Sequence, residues 1–62
     1  MRAIKILREK NKKSQEQLAE FVGVSVPTVS RWESDEFSPR ADKLPEIANF
    51  LECKVDDLYK EV

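Results

Sequence analysis

Few side chains in this 62-residue chain could do chemistry, and most kinds of chemistry fail at once. There is no histidine, so the commonest general base and metal ligand is missing. The single cysteine, Cys53, has no second thiol to pair with. The one glycine, Gly23, cannot make a glycine-rich phosphate loop. No serine or cysteine lies near a plausible base, and no metal-ligand spacing occurs, so neither an enzyme nor a metal, cofactor or small-molecule site is indicated. What remains is cationic and hydrogen-bonding. Residues 1–13 carry Arg2, Lys5, Arg8, Lys10, Lys12 and Lys13 against Glu9, a local charge of +5 in a chain of net charge −1. Further along stand Arg31, within "SVPTVSR", and Arg40. Such groups hold anions rather than transform them. Charge alone leaves open whether the basic end is an anion-binding surface or a solvated helix face.

The frame for these residues must be small. A chain of this length forms one domain, residues 1–62, that buries only about 60% of its unfolded surface, so a partner subunit would help it. Apolar residues at 40% and charged residues at 37% fit a soluble globular chain. No apolar run approaches the roughly 20 residues of a membrane span, and no signal-peptide pattern opens the chain, so a cytoplasmic protein without membrane contact is expected.

The pattern predicts an all-α domain of five short helices. The first runs from about Arg2 to Lys10 with Ala3, Ile4 and Leu7 on one stripe, leaving Ile6 off it. Ser14 and Gln17 form a capping box that starts the second helix at Gln15, and it runs to about Val22. Gly23 follows its end, where a left-handed backbone suits glycine. Ser25 restarts the chain as an N-cap, with Val26 and Pro27 in a first turn whose N–H groups lack intrahelical acceptors anyway. This third helix runs to about Ser34, with Val29 and Trp32 inward, and "SDEFSPR" is a loop. Leu44, Ile47, Ala48 and Leu51 mark a fourth helix, which Pro45 prevents from starting much before Asp42. Val55, Leu58, Tyr59 and Val62 give a fifth stripe at helical spacing.

Counted from Gln15 to Ser34, a twenty-residue unit emerges. Leu18, Val22, Val24, Val29 and Trp32 are its apolar anchors. A small Ala19 lets two helices cross closely, and Gly23 allows the sharp turn between them. This unit resembles the helix-turn-helix of the phage repressor and Cro (lambda-repressor-like) family of DNA-binding proteins. The similarity runs from "IKILREK" through "SQEQLAEFVGVSVPTVSRWE" to "SPRADKLPEIANFLECKVDDLY".

That resemblance implies a sequence-specific transcription regulator, a repressor, bound as a homodimer to a palindromic double-stranded DNA operator. It implies that the helix at about 26–34 lies in the major groove, with Val26, Pro27, Thr28 and Arg31 reading bases. Arg31 suits guanine O6 and N7, whereas Val26, Pro27 and the Thr28 methyl suit thymine methyl groups. Gln15, Ser25, Ser30, Ser34, Arg40 and Lys12 fall where the DNA backbone is met, Gln15 at a helix start that favours anions. Arg8 and Glu33 match a pair that bridges the first and third helices. Leu58, Tyr59 and Val62, aided by Phe50, are the expected dimer surface. The chain departs from the family pattern in four places: Lys13 stands where an apolar residue is usual, Ser34-Asp35 where Asn-Gly is common, Cys53 where valine is usual, and Glu52 where glycine ends the fourth helix.

Each assignment has a plainer competitor. Arg31 could simply pair with Asp35 at i+4 on a solvated face. Trp32 reads as a core aromatic, and Cys53 as a small core hydrophobe. The acidic net charge also fits a protein-interaction or antitoxin-like module on the same scaffold without DNA binding. Against it stands the outer face of the third helix, which carries no acidic side chain before Glu33.

Overall fold

Ile4, Leu18, Val29, Ile47, Leu51 and Leu58 come from five separate stretches of sequence, yet none is more than 2% exposed. They meet because each stretch is a helix that turns one stripe inward. The computed structural model describes residues 1–60, and in it the helices are α1 (Arg2–Lys10), α2 (Gln15–Val22), α3 (Val26–Glu33), α4 (Leu44–Phe50) and α5 (Val55–Leu58). A 3-10 turn over Ala41–Lys43 leads into α4, so Pro45 sits in that helix's first turn as its chemistry requires. The domain is all-α, with no strand among the described residues.

Helix starts follow the expected side-chain logic. Ser14 Oγ accepts the Gln17 N–H at 3.0 Å while Gln17 Oε1 accepts the Ser14 N–H at 2.7 Å, a complete capping box. Ser25 Oγ accepts the Thr28 N–H at 3.4 Å and lies 2.8 Å from Thr28 Oγ1.

Helix ends share one device. After α1, α2, α3 and α4 comes a residue in the left-handed region: Lys12 (φ 56), Gly23 (φ 75), Asp35 (φ 64) and Glu52 (φ 56). The next residue then donates its N–H to a carbonyl five positions back. These bonds join Lys13 to Arg8, Val24 to Ala19, Glu36 to Arg31 and Cys53 to Ala48, at 2.9 to 3.0 Å. This is the Schellman closure, which satisfies orphan carbonyls at a helix end. Only one of the four positions is glycine. The turn after α4 thus keeps its shape by forcing Glu52 into a conformation that glycine adopts at no steric cost.

Two polar links brace the bundle. Asn11 Nδ2 donates to the Leu7 carbonyl at 2.8 Å and the Leu51 carbonyl at 3.0 Å, tying α1 to the end of α4. Lys43 Nζ donates to the Val22 carbonyl at 3.0 Å, closing the end of α2 with a cation.

The expected fifth stripe is corrected in part. α5 is a single turn ending at Leu58, which points into the core, while Tyr59 caps it and is exposed. Leu58 is therefore unavailable as a dimer contact, because the domain's own core needs it. Val62 lies outside the described residues.

Left-handed backbone costs a side-chain-bearing residue roughly 1–2 kcal/mol. We expect Glu52→Gly to stabilise the fold by about 1 kcal/mol, raising the melting temperature by about 4–8 °C in a domain of this size. A Cβ at Gly23 would meet no atom within 4 Å, so Gly23→Ala should lose a similar amount through backbone strain alone. A lower melting temperature for Glu52→Gly would refute this account of the turn.

Candidate nucleic-acid interface

α3 divides cleanly by exposure. Val29 and Trp32 are buried, whereas Val26, Pro27, Ser30 and Arg31 are exposed. Thr28 is half-buried, its hydroxyl turned to Ser25 at the helix start. The structure therefore brings five of the expected contact residues, Ser25, Val26, Pro27, Ser30 and Arg31, to open surface on one short helix and its cap.

What fixes that helix in orientation is a buried carboxylate. Glu33 is 7% exposed, and its oxygens accept Arg8 Nε at 2.7 Å, Arg8 Nη2 at 3.1 Å and Gln15 Nε2 at 3.0 Å. Arg8 Nη1 donates to the Lys13 carbonyl at 2.7 Å. The hydrogen bond to Glu33 holds the Arg8 guanidinium's pKa above its ordinary value, against the opposing pull of burial. Gln15 is thus oriented by Glu33 through its amide nitrogen. Its backbone N–H, in the first turn of α2, has no intrahelical acceptor and is left for an anion.

Beside this network lies a hollow of about 180 Å³ lined by Lys5, Arg8, Gln15, Ser30, Glu33 and Ser34. Three expected backbone-contact residues, Gln15, Ser30 and Ser34, share it. Lys5 joins them, although nothing in its sequence context singles it out from the other basic residues of α1. Only the packing of α1 across the end of α3 brings it there. Ser34 Oγ donates to the Arg31 carbonyl at 3.2 Å. Arg40 and Lys12 are exposed but do not line this hollow, and Arg40 Nε lies 3.9 Å from Asp42.

Two expectations about charge partners change. Arg31 does not pair with Asp35; its Nε lies 3.2 Å from Glu36 Oε2 instead. Asp35 occupies the left-handed turn position, and its carboxylate accepts from the Met1 amino group at 2.7 Å. Lys13, placed where an apolar residue is usual, lays its ammonium over the Phe50 ring, 5.6 Å from the centroid. Lys13 is half-buried there, as a lysine can be when its stem lies along apolar surface and its charge stays outside. Phe50 in turn packs against Phe21, with ring centroids 5.0 Å apart, rather than towards α5.

Cys53 packs against the core, and burial followed by the nearby Asp57 charge pushes its thiol pKa up, which makes it chemically quiet. Among the described residues no group of side chains could hold a metal ion, and no helix is long and apolar enough to cross a membrane.

Comparison with known proteins agrees with this geometry. The helix-turn-helix family matches residues 4–58. The cryptic phage CTXphi transcriptional repressor RstR of Vibrio cholerae serotype O1 is 37% identical over 46 residues, which cover 74% of this chain and 41% of that protein. The chain thus spans less than half the length of that relative.

Removing either partner of the Arg8–Glu33 pair would orphan a buried charge, at a cost of about 3–5 kcal/mol. We expect Arg8→Ala and Glu33→Ala each to lower the melting temperature sharply. Arg8→Met with Glu33→Leu, which leaves neither charge behind, should recover much of the loss. Unchanged melting of both single variants would rule out the bracing role.

Proposed function

The chain belongs to the helix-turn-helix family, and on that premise we propose that it is the DNA-binding domain of a sequence-specific transcription regulator. The observation that carries this is the placement of α3: a buried ion pair fixes the helix, and its exposed side presents Val26, Pro27, Ser30 and Arg31 with no acidic side chain among them. Family membership and likeness to a phage repressor support a DNA-binding regulator rather than an enzyme.

In this reading the whole chain, residues 1–62, is one domain and residues 15–34 are its helix-turn-helix unit. α3 enters the major groove. Val26, Pro27 and Thr28 meet thymine methyl groups, and Arg31 bonds a guanine. Gln15, Ser25, Ser30 and Ser34 meet phosphates along the flanks, joined by Lys5. Lys12 and Arg40 add attraction from further out, Arg40 towards the minor groove. A single module of this kind covers only about 600–1,000 Å² on DNA, so useful affinity calls for a homodimer on a palindromic operator, acting as a repressor. Tyr59, 61% exposed, is the large side chain that the α5 end offers for such pairing.

Selection of bound sequences from random DNA tests the reading. We expect a palindromic motif whose half-sites lie about one helical turn apart. Arg31→Ala should relax preference at one base pair per half-site while leaving the rest. Enrichment of no motif at low salt would defeat the regulator reading. An intact motif with Arg31→Ala would remove Arg31 from the base-reading set.

A further inference from the structure

We propose that Glu36 is a positioning residue for Arg31, converting it from a general phosphate-attracting charge into a directed guanine-reading fork. The proposal rests on the base-reading role given above to Arg31.

The argument starts from the turn that ends α3. Asp35 takes φ 64, which folds the chain back on the helix, and the Glu36 N–H donates to the Arg31 carbonyl at 3.0 Å. The backbone thereby delivers Glu36 to Arg31 whatever its side chain does. The side chain then closes a second link, Glu36 Oε2 lying 3.2 Å from Arg31 Nε. Residues 31 and 36 are joined twice, once through main chain and once through side chain.

The atom engaged is what matters. A guanidinium has five N–H donors in a rigid plane. The closest approach is at Nε, and the two Nη nitrogens at the far end form the parallel pair that can span guanine O6 and N7. A carboxylate at Nε removes rotational freedom about the last torsions of a long side chain, so less must be lost when the base bonds form. Both side chains are more than half exposed, and an exposed pair stabilises a fold little. Positioning needs no contribution to folding, and the pair strengthens once a groove wall excludes water around it.

Charge leads the same way. Glu36 places a negative charge on the very end of the helix that approaches phosphates, which weakens attraction to any DNA. That loss falls on specific and random DNA alike, whereas the aligned fork favours only duplexes with guanine at the right place. The expected result is lower general affinity with sharper discrimination.

The test compares wild type, Arg31→Ala and Glu36→Gln on three duplexes: the selected site, that site with the Arg31-dependent base pair changed, and random sequence. Both replaced side chains are exposed, so thermal melting should match wild type and serves as the control for folding. Arg31→Ala should reduce discrimination at its base pair by about tenfold or more. Glu36→Gln should reduce it at that base pair by about fivefold, leave the other positions alone, and tighten binding to random DNA a few-fold as a repelling charge is lost. A residue with a merely structural role would not change preference at a single base pair. Unchanged or sharper discrimination with Glu36→Gln, beside a loss with Arg31→Ala, would overturn the positioning role alone. If Arg31→Ala also changes nothing, the base-reading role fails and takes this one with it.

Discussion

Glu33 is a carboxylate taken almost wholly out of water at the end of the helix that must be aimed most accurately. A charge in that position costs several kcal/mol unless donors surround it. Arg8 from α1 and Gln15 from the start of α2 supply them, and Arg8 reaches on to the Lys13 carbonyl. Four segments of chain therefore have to agree about one carboxylate. Apolar contacts between helices are non-directional and would tolerate sliding, but this network does not. Any rotation of α3 relative to α1 would strand a buried charge. The ion pair thus sets the angle at which Val26, Ser30 and Arg31 face outward, whether or not it adds net stability.

A chain of net charge −1 is an unlikely partner for DNA only if charge is averaged over the molecule. Within a Debye length of about 10 Å, local arrangement matters more than the total. Lys5 and Arg8 lie on the side of α1 that meets the end of α3, beside the anion-favouring start of α2. Many of the acids sit elsewhere, on α4, α5 and the outer face of α2. Nearer the site stand Glu9, which shares a surface hollow with Lys5 and Ser34, and Asp35 and Glu36, which are paired with the Met1 amino group and Arg31.

Much of the fold was legible in the sequence because short-range chemistry dictates it. The Ser14–Gln17 box, the Ser25 cap, Gly23 and Pro45 each act within four residues, and each fixed a helix boundary that the structure repeats. The Arg8–Glu33 pair was legible only through likeness to a family, since no local rule joins residues 25 apart. Pairing of Arg31 with Asp35, the plain alternative to base reading, fails because i+4 spacing assumes a helix that continues. The helix ends at Glu33, the left-handed Asp35 shifts the register, and Glu36 arrives instead. Leu58 departs from the sequence pattern for a related reason: helical spacing puts four residues on one stripe, but α5 is a single turn whose inner residue the small core could not spare. Lys5 was missed because its neighbours arrive through tertiary packing alone.

The repeated closure of α1, α2, α3 and α4 has a mechanical consequence. Each of these helices ends in a left-handed residue followed by a backbone closure, and the connections after α1, α2 and α4 are only three or four residues long, so those three carry little slack. A body built this way approaches a double helix as a rigid die rather than as a hand that closes. It gives up little disorder on landing, and it has little freedom to adjust its own shape to a badly spaced target. Under the proposed pairing on two half-sites, tolerance to an altered distance between them would have to come from outside the domain, in the junction between the paired copies or in the bending and twisting of the DNA itself.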